Sequence, residues 1–134
     1  MRLTIIIEKG DGEIWGRVEA PGFLNVTVGN SEAEITQNML ELIEDFLENE
    51  GKEDEYWRGV TLENIEFDYR YDLTAFFDLF SPLKINSIAE KAGINKALMR
   101  QYVSGVKHPS AQQVQKIESA IHAFGQNLMK VSLV

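Results

Sequence analysis

The chain has 134 residues, 13 of them Lys or Arg and 21 Asp or Glu, for a formal net charge of −8. At 44% hydrophobic and 25% charged it reads as an ordinary globular protein, enough for one domain or two very small ones. Cysteine is absent and the two histidines are far apart, which excludes disulfides and thiol chemistry and argues against a zinc site. No run of about 18 apolar residues offers a membrane span, and MRLTIIIEKG is too short an apolar stretch for a signal peptide. A cytoplasmic location with no membrane contact is therefore expected.

Arg2 to Glu8 alternates Leu3, Ile5 and Ile7 against Arg2, Thr4, Ile6 and Glu8 and predicts a strand buried on at least one face. Lys9-Gly10-Asp11-Gly12 is a hairpin signal. Glu13 to Glu19 alternates again, with Ile14, Gly16 and Val18 on one face, and Pro21-Gly22 turns the chain. Phe23 to Val28 predicts a third strand with Leu24, Val26 and Val28 on one side. Ser31-Glu32-Ala33-Glu34 fits a capping box, and Ile35, Met39, Leu42, Ile43, Phe46 and Leu47 follow at helical spacing until Gly51 stops the helix. After the polar connection Lys52 to Gly59, Asn64 to Asp72 predicts a fourth strand, with Ile65, Phe67, Tyr69 and Tyr71 alternating against charged residues. The expected order is β-β-β-α-β, a helix layer on one antiparallel sheet.

That order, the Asp11-Gly12 turn before an aromatic-bearing strand, the Pro21-Gly22-Phe23 corner and the Gly29-Asn30-Ser31 helix start together resemble HicB-type antitoxin domains. The resemblance covers residues 1–72 and implies a partial ribonuclease-H-like fold without nuclease residues. It also implies a small, RNA-cleaving HicA-like toxin as partner, with DNA binding left to a separate tail. The chain departs from the pattern at Glu19-Ala20, where the family has a longer Pro-containing corner.

Asp72-Leu73-Thr74 opens a short helix ended by Ser81-Pro82, with Leu73, Phe76, Phe77 and Phe80 packing. It reads as the first helix of a second domain, residues 73–134. In INSIAEKAGINKALMRQYVSG, residues 85–105, Asn86 is expected to cap a helix over Ser87 to Ala92. Gly93 supplies a left-handed turn, and Asn95 caps a second helix over Lys96 to Ser104. Ile88, Ala89, Ala92, Ile94, Leu98, Met99 and Tyr102 fall inward; Lys96, Ala97, Arg100, Gln101 and Ser104 fall outward. A plain helical hairpin would use the same glycine merely to break the helix. The outward set contains donors and a methyl group but no acid, which is what base edges in a major groove require.

Ala89, Gly93, Ile94, Met99 and Tyr102, followed by Val106-Lys107-His108-Pro109-Ser110, resemble the helix-turn-helix and following loop of phage-repressor-like (XRE-type) DNA-binding domains. Asn95, Lys96, Ala97, Arg100 and Gln101 are then expected at base edges, and Asn86, Ser87, Ser104 and Lys107 at phosphates. Ser110 to Gly125 predicts a closing helix with Val114, Ile117, Ile121 and Phe124 inward, and Leu128 to Val134 predicts a terminal strand from its alternation. Charge divides the same way. Residues 1–72 hold 6 basic and 18 acidic side chains, a balance of −12; residues 73–134 hold 7 and 3, a balance of +4.

Catalysis has little to build on. His108 falls in a loop and His122 off the apolar stripe of its helix, and the acids Asp11, Glu13, Asp68 and Asp72 suit a solvated sheet face as well as a metal cluster. The acidic run Glu41, Glu44, Asp45, Glu48, Glu50, Glu53, Asp54 and Glu55 suits either a wet helix face or a dock for a basic protein. The sequence thus predicts a non-enzymatic, cofactor-free α+β regulator that dimerises or forms a higher homo-oligomer. The two resemblances imply that it binds double-stranded DNA, represses its own operon and neutralises a small basic toxin. The alternative is an orphan repressor whose first domain serves only oligomerisation.

Overall fold

Period-two alternation makes Arg2–Gly10 (β1), Glu13–Ala20 (β2) and Phe23–Val28 (β3) one-sided strands. The computed structural model, which describes residues 1–134, pairs them as successive antiparallel neighbours. Leu3, Ile5, Ile7, Ile14, Gly16 and Val18 all lie on the buried face. In β3 the buried residue is Phe23; Leu24 and Val26 stand on the opposite, open face.

Helix α1 (Glu32–Glu48) covers the buried face with Ile35, Met39, Ile43 and Phe46. Its expected capping box forms: the Ser31 hydroxyl accepts from the Glu34 N–H at 3.1 Å, and the Glu34 carboxylate accepts from the Asn30 N–H at 3.2 Å. The helix ends at Asn49 rather than through Gly51. Gly51 is needed for a different reason, since a Cβ there would come within 2.6 Å of the Phe46 ring. The connection that follows is not purely polar. Trp57 is buried against Phe23 and Phe46, and its indole N–H donates to the Pro21 carbonyl at 2.6 Å.

The sheet corrects one expectation. Strand β4 (Glu66–Tyr71) pairs parallel to β1, Leu3 opposite Phe67 and Ile5 opposite Tyr69, so the sheet is mixed, in the order β3-β2-β1-β4. The α1 crossover returns the chain to the end from which β1 starts, which a hairpin would not do. Tyr69 and Tyr71 tie β4 to α1. The Tyr69 hydroxyl lies 2.7 Å from the Thr36 hydroxyl, and the Tyr71 hydroxyl donates to the Glu32 carboxylate. Burial first, and then that hydrogen bond, hold the Tyr71 hydroxyl neutral well above its ordinary range. A raised folded-state value contributes stability that is complete below the unfolded value of 10.0 and drains as pH climbs past it. Tyr71→Phe is expected to lower stability by about 1–2 kcal/mol at neutral pH in urea melts. The gap between the two proteins should narrow above pH 10; a constant gap would exclude the donor role.

The boundary between the halves also moves. The chain divides into compact units at Met1–Leu79 and Phe80–Val134, not at Asp72. Helix α2 (Leu73–Leu79) belongs to the first unit because Ala75 is buried in the sheet core and Asp72 caps it, accepting from the Ala75 N–H at 2.7 Å. Lys9 adds an ion pair to Asp78 at 3.5 Å.

The second unit contains α3 (Ile85–Ala92), α4 (Lys96–Ser104) and α5 (Ala111–Met129). Ile88, Ala89, Ile94, Met99, Tyr102, Ile117 and Ala120 form its core. Ser110 caps α5 through the Gln113 N–H at 3.2 Å. The expected terminal strand does not form: α5 continues through Gly125 to Met129, and residues 131–134 are exposed and irregular. Alternating apolar residues make a strand only when an edge receives them. No helix is long and apolar enough to cross a membrane.

Candidate nucleic-acid interface

The turn between α3 and α4 depends on two residues. Gly93 takes φ 71° and ψ 30°, the left-handed conformation that closes α3 and that a Cβ disfavours. Asn95 then opens α4, its side-chain oxygen accepting from the N–H groups of Ala97 at 2.9 Å and Leu98 at 3.2 Å. Asn95→Ala is expected to cost about 1 kcal/mol of unit stability. A helix content and melting curve unchanged from wild type would show the cap to be dispensable.

With Met99 and Tyr102 turned inward, helical geometry turns Lys96, Ala97 and Arg100 outward, and all three are exposed. Asn86, Ser87, Asn95, Ser104 and Lys107 are exposed as well. Gln101 is only half-buried and sits at the rim of the face. Its carbonyl accepts from the Lys107 N–H at 3.2 Å and from the Ser104 hydroxyl at 3.2 Å, which pins the loop after α4 to the helix that precedes it.

Asn86 does not act as expected. Helix α3 starts at Ile85, two residues earlier, with Lys84 at its cap and no capping side chain. Asn86 instead accepts a hydrogen bond from Arg100 Nη2 at 3.1 Å. That bond spans the two helices and holds the guanidinium along the outward face. Lys84, exposed beside Asn86 at the start of α3, is a cation the sequence reading passed over. Its signal was available as a basic residue just ahead of the apolar run.

Electrostatics match the geometry. Residues 80–134 hold seven basic side chains against Glu90 and Glu118. An open groove of about 690 Å³ between α3 and α5 is lined by Lys91, Gln112, Lys116 and Phe124, and a smaller hollow of about 290 Å³ is lined by Leu83, Ser87 and Lys91. Lys96, Ala97 and Arg100 line neither hollow; they project from the exposed side of α4. His108 and His122 are both exposed. Of the acids considered for metal binding, Asp68 pairs with Arg2 at 2.8 Å and Asp72 caps α2. No protein-family model, curated protein or solved structure matches the chain.

Proposed function

We propose that this chain is a DNA-binding transcriptional regulator in which α3 and α4 act as a helix-turn-helix of the XRE type. The observation that carries the reading is the division of α4 itself. Met99 and Tyr102 are buried, while Lys96, Ala97 and Arg100 form an exposed face without an acid. Arg100 would read guanine through two donors, and Gln101 adenine from the rim. Asn86, Ser87, Ser104 and Lys107 would meet phosphates and set register. Paired half-sites about one helical turn apart follow if two copies act together.

The first unit, in this reading, is a HicB-like antitoxin domain acting in the cytoplasm. The exposed acids of α1 and the segment after it, Glu41, Glu44, Asp45, Glu48, Glu50, Glu53 and Glu55, favour a small basic toxin as partner. The alternative keeps the DNA-binding role and gives this unit oligomerisation alone. Selection of duplexes from a random-sequence pool tests the common part. Enrichment of a two-part motif is expected, and an unenriched pool would exclude specific binding. Co-expression with any short basic protein encoded beside this one separates the two versions: a stable complex supports the antitoxin, and its absence the orphan repressor.

A further inference from the structure

The two edges of the sheet are built differently. Strand β4 alternates Glu66, Asp68 and Arg70, the charge pattern that keeps open edges apart. Strand β3 carries no charge, and the uncharged stretch runs from Ala20 to Ser31, the longest in the chain. Leu24 and Val26 are 68% and 55% exposed. The Gly29 N–H donates to the Ile14 carbonyl at 3.2 Å, so Ile14 and Gly29 form a bonded pair of the β2–β3 ladder. Alternation along an antiparallel ladder then turns the N–H and C=O of Leu24, Val26 and Val28 away from β2. Asn38 Nδ2 occupies the Val28 carbonyl at 3.0 Å. Leu24 and Val26 keep their backbone groups open.

We propose that β3 pairs antiparallel with β3 of a second copy of this chain, Leu24 opposite the second copy's Val26. The twofold axis passes at Asn25, and this register uses every open group on both residues in both copies. Leu24 and Val26 of the two copies then form two adjacent apolar rows on the open sheet face.

Charge selects the occupant, and the open backbone groups select the register. Arg17 is the cross-strand neighbour of Val26, and Glu19 that of Leu24. The proposed register ends each row with Arg17 on one copy and Glu19 on the other. A register with Val26 opposite Val26 would set Leu24 opposite Val28, whose carbonyl Asn38 already occupies. Residues 1–79 hold 6 basic and 19 acidic side chains, so two copies repel each other over most of this unit and meet without repulsion only at the neutral edge. A basic protein would be drawn to the acids of α1 instead. The proposal deepens the oligomerisation part of the function above, and it stands whether or not α4 reads DNA.

Sedimentation of the full chain tests it with two variants, Leu24→Lys/Val26→Lys and Leu24→Glu/Val26→Glu. Both positions are exposed, so each variant should keep the wild-type circular dichroism, while its melting temperature loses the concentration dependence that association gives the wild type. The wild-type mass should be twice that of either variant at the same concentration. Mixing the two variants should restore the wild-type mass, because cations then face carboxylates across the joint. Added salt should tighten the wild-type association by screening like charge, the reverse of its effect on DNA binding. Equal masses for all three proteins would overturn the proposal. So would a wild type that sediments as a single copy, which would leave the edge for a strand of another protein. Loss of DNA binding alone would change none of these masses.

Discussion

Met99→Ala is expected to unfold residues 80–134 while leaving the sheet unit folded. Met99 is wholly buried in α4, among the few side chains that form the core of this unit. Removing its side chain should cost about 2–5 kcal/mol, transfer and cavity combined. A unit this small has only a few kcal/mol of net stability, so the loss approaches the whole. Met99→Leu conserves volume and should cost less than about 1.5 kcal/mol. The two tryptophans, Trp15 and Trp57, both lie in the first unit, whereas α3, α4 and α5 lie in the second. In a urea melt the tryptophan emission of Met99→Ala should follow wild type while helical dichroism is lost early. Coincident shifts of both signals would mean that the units unfold as one.

Arg100→Ala and Lys107→Ala are expected to fail differently on DNA. Arg100 is exposed, held by Asn86 across the α3–α4 turn, and its fork suits the two acceptors of guanine. Its removal should cost about 1–3 kcal/mol, roughly 5- to 150-fold, on the preferred duplex and little on unrelated sequence. Lys107 sits in the loop pinned to the Gln101 carbonyl and would meet a phosphate. Its removal should weaken all duplexes alike and lower the salt slope by about one. Asn86→Ala should fall between, because it releases the guanidinium without deleting it. Titration of both duplexes at several salt concentrations checks all three variants, and indistinguishable behaviour of Arg100→Ala and Lys107→Ala would refute the assignment of roles.

Local patterns were legible where one side of an element is buried. The alternation in β1 and β2 and the stripe Ile35, Met39, Ile43 and Phe46 of α1 survive into the structure unchanged. Strand direction was not legible, since a period of two is the same for parallel and antiparallel neighbours; β4 is parallel to β1 where the alternation alone suggests an antiparallel sheet. The apolar side of β3 gave no indication that it faces outward, because exposure depends on where α1 lies. Helix α2 has aromatics enough to pack on either unit, and only Ala75 and the Asp72 cap assign it to the sheet. At the end of the chain, Met129, Val131 and Leu133 have the spacing of a strand, but Met129 ends α5 and residues 131–134 are irregular. In the candidate interface, periodicity separated Met99 and Tyr102 from Lys96 and Arg100 correctly. It could not show that Asn86 would hold Arg100 instead of capping α3, since that contact joins residues fourteen apart.

Methylation interference on a duplex selected by the full chain tests the insertion of α4 most directly. Methyl groups at guanine N7 project into the major groove. They should abolish binding at positions in two half-sites about one turn apart, and Arg100→Ala should lose sensitivity at one guanine in each. Binding that tolerates every N7 methyl group would contradict the account.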